Sequence, residues 1–146
     1  MVSTTKWYTE TATPRMVAAF NRTAWYPTGF NYISFDLRRP MFADPRVRQA
    51  LTMLVDRKGV INDLLLGFGT EMAGPYSINR KANDPNVKPL PYDPEAAKKK
   101  LADAGWKPGP DGILVRDGVK FEFNLSLRTG VPIRVSYSYY SASTTL

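Results

Sequence analysis

The chain of 146 residues contains neither cysteine nor histidine. Without Cys there is no disulfide framework, no Cys-based zinc site and no thiol nucleophile. Without His the commonest general base and metal ligand is missing, so no Ser-His-Asp or Cys-His mechanism can be assembled within the chain. Zero Cys suits oxidising and reducing compartments alike, so it does not decide location. The opening stretch MVSTTKWYTETATPR has no apolar core of signal-peptide length. No run approaches the ~18 apolar residues of a membrane span, and no internal repeat appears at a solenoid period.

What is present is ordinary globular composition, 43% apolar and 12% aromatic, in a length that suits one domain with a real core. The net charge of +7 is dispersed, with one compact basic run at Lys98, Lys99 and Lys100. Dispersed charge supports solubility and weak attraction to anions more than a dedicated phosphate-binding stripe.

Local signals lay out a mixed α/β chain. RMVAAF reads as a short buried strand, and NRTAWYPTG as a turn-rich connection through Pro27 and Gly29. FNYISFDL, rich in aromatic and β-branched residues, reads as a central strand over 30–37 with apolar residues on both faces. Asp44 caps a helix over 45–56 with Pro45 at its first position. Val47, Ala50, Leu51, Leu54 and Val55 form its apolar stripe. Asp56 can cap a second helix over 57–66 that buries Ile61, Leu64 and Leu65 and stops at Gly67. Residues 67–92 read as a long ordered loop. Asp93 and Pro94 start a helix over 94–104 that turns Ala97, Leu101 and Ala104 inward and ends on Gly105. Asp117-Gly118 marks a hairpin turn. After it Val119, Phe121, Phe123, Leu125 and Leu127 alternate with polar residues as a half-buried strand.

Enzymatic motifs fare badly against plainer accounts. GFGTEMAG carries three glycines but no Lys-Ser/Thr, and a helix precedes the loop where a phosphate cradle needs one to follow. Carboxylates in DPNVKPLPYDPE and GPDGILVRDG lack calcium-loop spacing and suit turns. Asp36, Asp44, Asp56 and Asp63 offer paired carboxylates on paper, but two of them are better placed as helix caps. Nucleic-acid binding is the main alternative: Arg38, Arg39, Arg46, Arg48, Arg57 and Lys58 cluster near Tyr32 and Phe42. The recognised modules align such residues along one helix face or sheet, and that pattern is absent, so a charged rim is the simpler account.

Read in order, three segments carry a resemblance. They are FNYISFDLRRPMFADPRVRQALTMLVDRKGVINDLLLGFGTEMAGP, PYDPEAAKKKLADAGW and DGILVRDGVKFEFNLSL, together spanning roughly residues 25–130. In this order they resemble the family-5 extracytoplasmic solute-binding proteins of ABC transporters, the oligopeptide- and dipeptide-binding type. The resemblance implies a partial lobe of a type II periplasmic-binding-protein-like fold, a small sheet flanked by helices. It also implies one partial domain over 1–135 from the C-terminal lobe, followed by an atypical Ser/Tyr/Thr-rich tail over 136–146. Such proteins capture peptides or similar small solutes between two lobes and deliver them to a membrane permease, in the periplasm or outside the cell. The implied chemistry is binding without catalysis, cofactor, metal or nucleic acid. By position in the family, Asn31, Tyr32, Ser34 and Thr129 are the candidate ligand-binding residues. A lobe on its own is further expected to expose apolar surface and to self-associate as a homo-oligomer.

Overall fold

The computed structural model describes Lys6, residues 9–21, Thr23 and residues 29–126. Pro27, Leu127, Thr129 and the tail over 136–146 lie outside the described residues. The described residues gather into two compact units, one within 1–31 and 58–88, the other within 32–57 and 89–146. Among them no helix is long and apolar enough to cross a membrane.

The second unit holds the main core. A short helix α2 (Pro40–Ala43) leads into α3 (Pro45–Met53), which packs against a later helix, α5 (Pro94–Asp103). The same device starts α3 and α5. The Asp44 carboxylate accepts the Arg46 backbone N–H at 2.8 Å, and Asp93 accepts that of Ala96 at 2.9 Å. In each helix a proline follows the cap, at a position whose N–H is orphaned anyway. Val47, Ala50 and Met53 of α3 meet Ala97 and Leu101 of α5 in one buried cluster with Phe42, Ala104 and Trp106. The small alanines at the contact let the two helices approach closely. The expected α3 stripe is partly right: Leu51, Leu54 and Val55 are half-buried, and Met53 takes the inner place.

The end of α5 follows the Schellman pattern. Gly105 adopts φ +89°, its N–H donates to the Ala102 carbonyl at 2.9 Å, and the Trp106 N–H donates to Leu101 at 3.0 Å. The apolar contact that accompanies this motif is the burial of Trp106 beside Leu101. Asp93→Ala is expected to cost about 1 kcal/mol through the lost cap. Urea unfolding checks it, and an unchanged midpoint would mean the cap is dispensable.

A three-stranded antiparallel sheet follows, β1 (Lys107–Pro108), β2 (Leu114–Arg116) and β3 (Val119–Lys120). Arg116 pairs with Val119, and Asp117 and Gly118 between them both have positive φ, the type I′ geometry that matches strand twist. Both edges are blunted: Pro108 lies on β1, and beyond β3 the Glu122 N–H folds back onto the Lys120 carbonyl at 3.0 Å. The regular ladder ends at Lys120, so the alternating run after it is extended chain, with Phe121 half-buried and Phe123 and Leu125 exposed.

The first unit departs most from the sequence reading. RMVAAF is not a buried strand: it lies in a helix, α1 (Pro14–Ala19), with no buried residue. Thr13 caps α1, its hydroxyl accepting the Met16 N–H at 3.4 Å. The Thr13-Pro14 start is the device used by α3 and α5, and it outweighs the apolar run. The helix expected over 57–66 is one α turn, α4 (Arg57–Gly59), followed by a π turn over Val60–Leu64. Val60 is buried there, whereas Ile61, Leu64 and Leu65 are only half-buried. Leu66 and Gly67 then take positive φ, and the Gly67 N–H closes the turn on the Ile61 carbonyl at 2.9 Å. Residues 67–92 contain no helix or strand and run as successive turns, as expected.

The largest correction concerns residues 30–37, which form no ladder and are not covered on both faces. Tyr32 is 74% exposed and Leu37 59%. A strand exists only by ladder pairing, and among the described residues no ladder forms over 30–37. Its end is fixed locally instead, by a turn in which the Arg39 N–H donates to the Asp36 carbonyl at 3.1 Å.

Candidate functional site

Of the arginines that suggest an anionic ligand, Arg46, Arg48 and Arg57 spend donors on main-chain carbonyls of the fold. A helix leaves its last carbonyls without partners, and a cation there is favoured by the helix dipole. Arg46 Nη1 donates to the Asp103 carbonyl at the end of α5, at 2.7 Å. The rest of its guanidinium grips Asp44, with Nη2 2.7 Å from Oδ2. One side chain thus ties the start of α3 to the end of α5. Arg116 Nη1 donates to the Ala104 carbonyl at 3.2 Å while its guanidinium lies 4.7 Å from the Trp106 ring centre. Arg48 Nη1 donates to the Phe42 and Ala43 carbonyls at 2.6 and 2.8 Å, closing the end of α2. Arg57 donates to the Thr52 carbonyl at 3.1 Å and to the Leu90 carbonyl.

The electrostatics say the same. Hydrogen bonds from the Arg46 side chain, then from its backbone, hold the Asp44 carboxyl below the usual carboxylate range. Arg38 does this to Asp36, and the Lys120 ammonium to Asp111. These are pairs that fasten turns, and each carboxylate is kept ionised. None is poised as an acid or base near neutrality. Among the described residues no three Asp or Glu side chains gather where a metal ion could be held.

The candidate ligand residues sit elsewhere. Asn31, Tyr32 and Ser34 are all exposed on the extended segment before α2. Thr129 lies outside the described residues. Asn31 belongs to the first unit, and Tyr32 and Ser34 to the second. Ser34 is followed by Phe35, whose ring packs on Phe42 with centres 5.4 Å apart. The second extended stretch, 121–126, reaches the same residue: Phe123 meets Phe42 edge-on at 5.4 Å. Phe121 continues the row to Trp106 at 4.6 Å. The sequence pattern singled out neither Phe35 nor Phe123 as a site-shaping residue, although strict alternation after Val119 already marked Phe121 and Phe123 as sharing a face.

Two extended stretches therefore rest on one aromatic floor. Among the described residues, the backbone groups of Ile33, Ser34 and Phe35 and of Phe123 through Ser126 make no hydrogen bond. Exposed main-chain donors and acceptors beside apolar side chains are what strand-addition recognition of an extended peptide uses.

The family of bacterial extracellular solute-binding proteins, family 5 (middle region), matches residues 4–140. The chain belongs to this family. The match reaches beyond the roughly 25–130 over which its motifs can be read directly. The oligopeptide-binding protein AppA of Bacillus subtilis (strain 168) is 40% identical over 108 residues, covering 70% of this chain and 20% of AppA. In structure, the same AppA in complex with a nonapeptide gives a TM-score of 0.65 at 35% identity, over 75% of this chain and 22% of that one. NikZ of Campylobacter jejuni in complex with Ni(L-His) gives 0.67 at 33% identity, over 73% and 22%. The chain spans about a fifth of the length of the curated relatives it matches, 20% of AppA and 18% of a second. The fold is accordingly mixed, helices with a small antiparallel sheet, as in these binding proteins. The nucleic-acid alternative finds no support: Arg46, Arg48 and Arg57 are committed to main-chain carbonyls and Arg38 to Asp36, and relatives such as AppA are named for solutes.

Proposed function

We propose that this chain is part of the substrate-binding component of an ABC transporter, a protein that captures peptides or similar small solutes outside the cytoplasm for import by a membrane permease. The observation that carries the reading is the family match over 4–140 together with 40% identity to an oligopeptide-binding protein. The role is binding without catalysis. Asn31, Tyr32, Ser34 and Thr129 are the residues proposed to border the solute, Tyr32 and Ser34 through the extended segment seated on Phe42. Their main-chain groups supply peptide hydrogen bonds, and the exposed tyrosine ring supplies contact area.

The relatives are several times longer, and the reading has the solute enclosed by surfaces beyond this chain. A half-enclosed ligand keeps its ordering cost but gains only part of the contact that offsets it. Isothermal titration of this chain with short peptides is therefore expected to give no binding tighter than about 10⁻⁴ M, while the full-length protein binds them at micromolar levels or better. Micromolar binding by this chain alone would sink the half-site reading, and failure of the full-length protein with peptides and small solutes alike would sink the function. Exposed Tyr32, Ile33 and Leu37 also favour association of copies, which sedimentation velocity across concentrations reads directly.

A further inference from the structure

The solute-capture reading leaves the long loop of the first unit without a role. Ordered loops of this length without regular structure are uncommon and tend to be functional. Here three successive turns stiffen it. The Arg80 N–H donates to Ser77 at 2.8 Å, Asn83 to Arg80 at 3.0 Å, and Val87 to Asp84 at 3.3 Å. Ser77 is buried beneath them.

The turns frame an open pocket of about 230 Å³. Ala73, Pro75 and Val87 give it apolar walls and Tyr76 an aromatic one, while Asn83 and Asp84 are its polar members. Asp84 Oδ1 accepts the Asn86 N–H at 2.9 Å, which fixes the carboxylate. Among the described residues its Oδ2 and the Asn83 side-chain amide have no partner. Lys88 gives its ammonium to the Pro85 carbonyl at 2.8 Å and not to Asp84. An apolar, partly aromatic wall with one fixed carboxylate oxygen and one unpaired amide suits a cationic nitrogen on an apolar body.

We infer that this pocket binds small primary amines carried on an aromatic or compact apolar group, the ammonium on Asp84 Oδ2 and the Asn83 amide oxygen, the body against Tyr76 and Val87. The pocket lies wholly within one unit, so the inference is independent of the solute-capture reading.

The test uses the chain as it is. A ¹H–¹⁵N titration with phenethylamine is expected to shift the amides over 73–87 saturably, with a dissociation constant on the order of millimolar, as an open pocket and a ligand of this size dictate. The near-isosteric anion 3-phenylpropionate, at matched ionic strength, is expected to bind at least about tenfold more weakly. Asp84→Asn keeps an oxygen for the Asn86 N–H, so the turn survives; it should abolish the preference for the amine. Val87→Trp, which fills the pocket, should remove both responses. Equal binding of amine and acid, an undiminished preference in Asp84→Asn, or shifts confined to residues outside 73–87 would each overturn the assignment.

Discussion

Trp106→Ala is expected to lower the stability of the chain by about 3–5 kcal/mol, the usual cost of deleting a large buried aromatic. Trp106 is 2% exposed and is the largest fully buried side chain. Its backbone N–H completes the stop of α5, so the ring is delivered to the core by the same turn that ends the helix. The ring is bounded by Phe121 edge-on at 4.6 Å and by the Arg116 guanidinium. Removal therefore opens a cavity between α5 and the hairpin and strips Arg116 of its aromatic contact, leaving the Ala104 carbonyl and the Asp117 carboxylate. Ordinary domains have ~5–15 kcal/mol in hand, and a core this small puts the chain near the bottom of that range. The variant should be largely unfolded at room temperature.

Trp106→Phe separates packing from polarity. Trp106 Nε1 is buried and has no acceptor among the described residues. An unsatisfied buried donor costs ~1–3 kcal/mol, and phenylalanine removes it while keeping much of the ring. The gain offsets the smaller cavity, so Trp106→Phe should lie within about 1 kcal/mol of the parent. Urea unfolding followed by far-UV circular dichroism measures both variants. Equal midpoints for the two would show that the ring is not the anchor described here.

The elements most legible in the sequence are those whose chemistry closes within four residues. Asp44-Pro45 and Asp93-Pro94 start helices, Gly105 stops one, and Asp117-Gly118 turns a hairpin, each by local hydrogen bonds or backbone geometry. The Thr13-Pro14 start is equally legible, whereas the apolar run RMVAAF suggests a burial that α1 does not show. What could not be read is non-local. FNYISFDL has the composition of a strand but forms no ladder among the described residues, and propensity does not create one. The fate of the arginines was likewise hidden: sequence gives Arg46 its charge, but not that its acceptor is the carbonyl of Asp103 on another helix. For the candidate site, only family position points to the extended segment carrying Tyr32 and Ser34. That Phe35 and Phe123 share Phe42 beneath it needed coordinates, because the three are brought together only by the folded core.

Phe42 is where core and candidate site meet, and Phe42→Ala carries the second large expected loss, again about 3–5 kcal/mol. The side chain is 5% exposed and belongs to the α3–α5 cluster, so truncation hollows that cluster directly. It also removes two aromatic contacts, at 47° to Phe35 and 75° to Phe123, worth ~0.5–1.5 kcal/mol each beyond the area they bury. Both extended segments would lose their seat together, since neither has ladder hydrogen bonds to hold it. A milder variant makes this visible in a folded chain. Phe42→Leu keeps most of the volume, should cost less than about 2 kcal/mol, and still deletes the ring contacts. Its amide spectrum is expected to move at Ile33 through Phe35 and at Phe123 through Leu125 in concert, with little change along α5. Movement of one segment without the other would show that they do not share a floor. If Tyr32 and Ser34 border the solute as proposed, the same leucine variant in the full-length protein should weaken peptide capture several-fold from beneath the ligand. Unchanged affinity there would move the solute off this segment.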